Sequence, residues 1–211
     1  MRHAQHTQPT PRLASTRELI DRAAYELFSR HGIRAVGVDT IAARAGVAKM
    51  TLYKHYPSKE VLALAFLRRR EELWTRSFLQ HEVERRAHTP TGRLLAVFDA
   101  FDEWFRRPDF ESCPFIKALL EHGGGGHPVG KAAQAHLASI RAFLSQLAKD
   151  AGVPNPNAFA KQWQIVMVGS IVFAQAGDRD AARRGKELCS RFLAHANAGR
   201  GNRSTARRAV R

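Results

Sequence analysis

From Leu19 to Leu193 apolar residues return every three or four positions, and no alternating apolar–polar run longer than four residues breaks that rhythm. A half-buried strand shows period two and a helix period 3.6, so the pattern points to an all-α fold and away from sheets. Ser15 and Glu18 frame a capping box in front of Ile20, Ala23, Ala24, Leu27 and Phe28, and Gly32 closes that segment. Short helices are predicted over 38–45 and 48–56, the second stopped by Pro57. Ser58 is the expected N-cap of a long helix to about residue 86. Thr89-Pro90 opens another, ended by Pro108, and three more are expected over 132–151, 157–176 and 178–196. The stretch 109–130, with Cys113-Pro114 and four consecutive glycines, is the least regular part. The count comes to about nine helices: an N-terminal three-helix unit followed by a larger helical body.

A length of 211 residues allows a small head on such a body. Residues 1–14 and 198–211 are polar and aperiodic and read as a disordered arm and a disordered basic tail. The head is expected over 15–60 and the body over 61–197. An apolar fraction of 44% excludes disorder of the whole, while 34 Lys and Arg against 19 Asp and Glu give a net charge of +15, which favours polyanionic partners. That excess is concentrated at the ends: residues 1–60 carry ten basic and five acidic side chains, and 198–211 carry five arginines and no acid. The tail is expected to grip phosphates without reading sequence. Residues 1–14 hold no apolar core of a signal peptide, and the longest apolar run, 165–174, is about half what a bilayer crossing needs. A cytoplasmic protein without membrane contact is expected. Cys113 and Cys189 are too few for a disulfide scaffold.

Three short N-terminal helices with a glycine turn between the second and third have the form of a helix-turn-helix. In the third, Leu52 and Tyr56 lie four apart and can dock inward. Lys49 with Tyr53, and Met50 with Lys54, then share the outward face, which presents two cations, a phenol and a thioether to a major groove. Lys59 adds a cation beside helix N-terminal amides, suited to a phosphate. The run Ile41-Ala42-Ala43-Arg44-Ala45-Gly46-Val47-Ala48-Lys49-Met50-Thr51-Leu52-Tyr53-Lys54-His55-Tyr56-Pro57-Ser58-Lys59-Glu60-Val61-Leu62 resembles the N-terminal domain of TetR-family transcriptional repressors, whose core reads I-A-x-x-A-G-V-x-x-x-T-L-Y-x-x-[FY]-x-S-K-E-x-L. The resemblance covers roughly residues 16–62; beyond them it is one of architecture only. Two positions depart from the family: Gly37 and Ala48 stand where capping hydroxyls are usual, each loss being worth about 1 kcal/mol. Thr40, Lys49, Met50, Thr51, Tyr53, Lys54, His55 and Lys59 are the expected DNA contacts.

The resemblance implies a homodimer through the last two helices, a double-stranded pseudopalindromic operator and release by a small-molecule effector. The expected dimer face comprises Ala160, Trp163, Val166, Met167, Ser170, Ile171 and Ala174 with Ala182, Cys189, Phe192 and Leu193. Aromatic residues crowd the middle of the body, and the expected effector contacts are Trp74, Phe78, Phe101, Trp104, Phe105, Phe115, Trp163 and Met167, with Glu121, His122 or Gln164 as polar anchors. Taken singly, each aromatic reads more readily as plain core, and it is the set that marks the pocket. Glu121, His122, His127 and His136 lack metal-ligand spacing, so no metal or other cofactor is expected, and Cys113 reads as a structural thiol rather than a redox sensor. No phosphate loop, paired carboxylates or nucleophile elbow suggests an enzyme. A non-specific DNA-compacting protein, or a regulator such as an activator without an effector, would share the charge; a membrane-surface binder would need a basic amphipathic helix that the tails do not show.

Overall fold

The computed structural model of the protein describes residues 14–123 and 125–208, without the side chains of 76, 77 and 197–208. Nearly all of the expected N-terminal arm, and residues 209–211 of the expected tail, lie outside the described residues. Those described are helical with no strand. The helices are α1 (Thr16–His31), α2 (Val38–Ala45), α3 (Lys49–His55), α4 (Lys59–Glu71), a π-helical stretch (Glu72–Gln80), α5 (His81–Arg86), α6 (Pro90–Arg106), α7 (Pro114–His122), α8 (Pro128–Asp150), α9 (Pro156–Gln175) and α10 (Ala181–Arg208). Backbone angles stay helical across both ends of the π stretch, so α4 to α5 is the single long rod that the sequence predicts. Counted so, the described residues form nine helices.

Local chemistry explains where they start. The capping box forms: the Glu18 amide donates to Ser15 Oγ (3.3 Å) and the Ser15 amide to Glu18 Oε2 (2.7 Å). Ser58 Oγ accepts from the Val61 amide and Thr89 Oγ1 from that of Gly92, both at 3.1 Å. Pro90, Pro114, Pro128 and Pro156 each occupy the first helical position, where the missing N–H costs nothing. Pro114 and the left-handed Gly123 (φ +66°) bracket α7, a helix inside the stretch that the sequence reads as irregular. Pro128 likewise starts α8 four residues before the expected 132. At the other end α10 runs on to Arg208, past the expected boundary at 197.

Two apolar clusters result. One fills the body between α6, α8, α9 and α10. The other is the core of the head, and it does not stop at residue 60. Ile20, Phe28, Ile41 and Leu52 pack with Leu62, Phe66 and Leu67 of α4, and with Phe115, Ala118, Val129 and Ala133 of α7 and α8. Head and body therefore share packing as well as chain.

The expected dimer face needs correction. Ala160, Trp163, Met167, Ser170, Ile171, Ala174, Ala182, Cys189 and Leu193 are all buried within the chain's own core. Helix α9 is apolar on every side, so periodicity could not separate its inner face from its outer one. The face left exposed is Ile165, Val172 and Phe173 of α9 with Leu188 of α10.

Candidate functional site

Helix α3 is seven residues long, too short to persist alone, and its position comes from packing. Leu52 and Tyr56 are buried as their spacing predicts, and the Tyr56 hydroxyl hydrogen-bonds Asp21 of α1 while Arg17 lies 5.2 Å over the ring. The turn before α3 closes on Gly46 in the left-handed region (φ 68°, ψ 32°), with the Val47 amide donating to Ala42 O at 3.0 Å. Gly37 and Ala48 are the N-caps of α2 and α3, and neither helix has a side-chain cap bond.

The opposite face of α3 is presented outward. Lys49, Met50, Lys54 and His55 are exposed, Met50 by 70%, while Thr51 and Tyr53 are half-buried beside them. Thr40 is exposed on the first turn of α2. Lys49 Nζ pairs with Asp39 Oδ1 at 2.9 Å, which raises its pKa and keeps it a cation. Lys59 differs from the rest: its Nζ donates to Arg34 O at 3.2 Å, and burial lowers its pKa. It ties the α1–α2 turn to the start of α4.

A cavity of about 40 Å³ lies in the body behind the head, between the α4 rod, α6, α7, α8 and α9. Of the residues expected there, Trp74, Phe101, Trp104, Phe115 and Met167 line it, as does Gln164, whose Nε2 donates to Leu137 O at 2.7 Å. Phe78 lines a neighbouring cleft with Trp74 instead. Phe105 is core, packed between Trp104 and Phe110, and Trp163 is core between Phe98 and Phe159. Glu121 and His122 are elsewhere. Glu121 Oε2 accepts from the Ile33 and Arg34 amides, each at 3.0 Å, at the α1–α2 turn, and His122 stacks on His127 with ring centroids 4.4 Å apart. Among the described residues no group of three or more His, Cys, Asp or Glu is placed to hold a metal ion.

The sequence reading missed Arg70, Ile116, Ile140 and His136 as wall residues of this cavity. His136 is 5% exposed, stacks on Phe115 (centroids 3.4 Å, 8° between planes) and leaves Nδ1 without a hydrogen bond among the described residues; burial lowers its pKa to about 4. A histidine on the inner stripe of α8, i+4 from Ala132 and i−4 from Ile140, carried that signal in the sequence. Cys113 borders the cavity and burial raises its thiol pKa, so it is a poor nucleophile.

Residues 20–66 match the family model described as bacterial regulatory proteins, tetR family. Over 183 residues, 83% of this chain and 94% of the relative, the sequence is 27% identical to the HTH-type transcriptional regulator YjdC of Escherichia coli. Its head alone is 53% identical over 47 residues, 22% of each chain, to the HTH-type transcriptional activator FasR of Mycolicibacterium smegmatis. Among solved structures, the putative TetR transcriptional regulator sav143 of Streptomyces avermitilis superposes with a TM-score of 0.76 at 27% identity, covering 87% of this chain and 99% of that one. SCO4454 of Streptomyces coelicolor, at 24% identity, shares the fold with a TM-score of 0.79 over 86% and 95% of the two chains. No helix among the described residues is long and apolar enough to cross a membrane. The helix-turn-helix head thus matches the model of the bacterial tetR-family regulatory proteins, and the chain as a whole is similar in sequence to an HTH-type transcriptional regulator and shares the fold of TetR-family structures.

Proposed function

We propose that the protein is a cytoplasmic repressor that grips a pseudopalindromic operator as a homodimer and lets go when a small molecule enters the body. The observation that carries this reading is the shared core: Phe115 packs in the core of the head and lines the cavity of the body. A ligand that displaces Phe115 must therefore disturb the seat of α1 and α4, and with it the direction of α3. Such a coupling is worth about 1–3 kcal/mol and is reciprocal, so operator DNA weakens ligand binding by the same factor.

Thr40, Lys49, Met50, Thr51, Tyr53, Lys54 and His55 face the DNA, Lys49 exchanging Asp39 for a base edge or phosphate. Lys59 acts by holding the turn and lends its charge to the backbone contact. A second copy of the chain covers Ile165, Val172, Phe173 and Leu188, setting the two reading helices about 34–36 Å apart, one turn of DNA. A relative whose head is 53% identical is named an activator, so the head alone does not fix the sign of regulation.

The test is fluorescence anisotropy with the tightest sequence selected from a random DNA pool, against the pool itself at matched salt. A specific regulator prefers the selected site by ~10³ or more; equal affinities would make this a non-specific DNA-binding protein. Lys49→Ala and Tyr53→Ala should each weaken the selected site about 10- to 100-fold. Both variants should sediment as dimers.

A further inference from the structure

Two spaces meet at one wall. The inner one is the 40 Å³ cavity, whose lining includes no carboxylate among the described residues. The outer one, about 390 Å³, lies where α1 of the head faces the π-helical stretch and the loop after α6. Arg70, Trp74 and Trp104 line both, with the two indole rings 4.5 Å apart at their centroids. Small-molecule sites enclose roughly 300–1,000 Å³ of mainly apolar wall. The inner space has that wall without the room, and the outer space has the room with charged sides. Joined by a swing of the half-buried Trp74, they supply both.

The charges of the outer space balance except for one. Glu26 is held by Arg44 at 2.7 Å, Glu111 by Arg30 at 3.3 Å and Asp109 by Arg107 at 2.7 Å. Arg70 donates from Nη1 to the Tyr25 hydroxyl at 2.5 Å, and among the described residues no carboxylate stands within ion-pair distance of it. One guanidinium is thus left over, on the wall of an apolar cavity that also holds His136, whose Nδ1 makes no hydrogen bond among the described residues. Building on the effector reading above, we infer that the ligand is an apolar molecule with a single carboxylate, which seats its carboxylate on Arg70 and its hydrocarbon past Trp74 in the enlarged inner cavity. A cation would meet only carboxylates that already have partners, and would leave the half-buried Arg70 without a counter-charge. A neutral molecule of the same shape would strip water from Arg70 and return nothing, whereas a carboxylate accepts the guanidinium fork in two parallel bonds.

The test uses the full chain and three probes of one length: decanoate, decan-1-ol and decylamine, titrated below their aggregation limits at fixed ionic strength with tryptophan fluorescence as readout. Decanoate should bind at least tenfold tighter than decan-1-ol, and decylamine more weakly than either. Arg70→Gln should bring decanoate to the level of the alcohol and leave the alcohol unchanged. Tyr25→Phe, which removes the same hydrogen bond from the other side and keeps the charge, should retain the preference. If Arg70→Gln fails to fold, Arg70→Lys should keep a reduced preference. Equal binding of the alcohol, or a preference that survives Arg70→Gln, overturns the inference. Binding of none of the three also overturns it; a neutral or cationic hit in a thermal-shift screen would then leave the effector reading standing, and an empty screen would sink both.

Discussion

Glu121 lies 88 residues along the chain from the Ile33 amide that it caps, so its role is set by tertiary structure and by no local spacing. Its carboxylate fits against the α1–α2 turn because Gly32 has no side chain: a Cβ there would stand 2.0 Å from Glu121 Oε1. The same glycine takes φ +83°, a conformation other residues rarely adopt. One helical turn earlier, Lys117 Nζ donates to Ser29 O at 2.9 Å, a cation at the negative end of α1. Helix α7 therefore holds the turn with both signs of charge. Glu121→Ala should cost about 1–3 kcal/mol in urea unfolding, two charge-assisted bonds to backbone amides being lost, and Glu121→Gln should recover part of it. His136 gives a pH dependence of opposite origin. Its pKa falls from 6.5 to about 4 on burial, so the fold favours the neutral ring. That contribution is complete above pH 6.5 and is lost as pH falls through 6.5 towards 4, up to about 3 kcal/mol. Glu71 Oε1, 3.8 Å from Nδ1, is the carboxylate that faces it. The drop in urea midpoint between pH 7.5 and pH 4.5 should shrink in His136→Leu; an unchanged drop would place the titration on other groups.

At the scale of helices, the sequence is most legible where chemistry is local. The capping box at Ser15, the caps at Ser58 and Thr89 and the glycine turn at Gly46 lie where spacing predicts. Helix α3 was readable too, because its apolar pair and its polar pairs fall on opposite faces. Helix α7 was not: nine residues between Pro114 and Gly123 are too few for a period to show against a glycine-rich neighbour. Helix α9 failed for the contrary reason, having apolar residues on every side. The effector candidates divide along the same line. Aromatic content marks the middle of the body, but which rings face the cavity depends on how helices distant in sequence cross, so Trp104 lines it and Phe105 beside it does not. Close crossings leave their own mark at Gly185 of α10, where a Cβ would lie 2.5 Å from Ser170 Oγ and 2.7 Å from Phe98 Cε1. Gly185→Ala should therefore destabilise the protein by about 1–3 kcal/mol, overpacking outweighing the gain of up to about 1 kcal/mol in helix propensity. A raised melting temperature would show that α10 has room to move away from α6.

For the molecule as a whole, a monomer accounts poorly for its own surface. Ile165 is 71% exposed, Phe173 64%, Leu188 58% and Val172 48%, on the two helices that close the chain. Positions 165, 169, 172 and 173 follow the spacing of one helical face, and Gly169 has open space where a Cβ would point, which lets a second helix approach closely. An exposed apolar face of this kind is a contact surface waiting for its complement, and a twofold axis offers the same face from a second copy. Charge supports the same geometry from the other end. The head exposes Lys54 and His55 on the outward face of α3, and on the proposed function a single seven-residue helix makes few base contacts, so tight selection calls for two heads on one duplex. Dimer formation and operator affinity should therefore fail together. Phe173→Glu places a carboxylate on each side of the proposed apolar contact, and burying it there without a partner costs several kcal/mol. The variant should keep its helicity in circular dichroism, since residue 173 faces solvent within the chain. It should sediment as a monomer and bind its selected operator more than 100-fold more weakly than the parent. If Phe173→Glu stays dimeric and binds normally, the two copies meet on another face and the spacing of the reading helices must be drawn again from there.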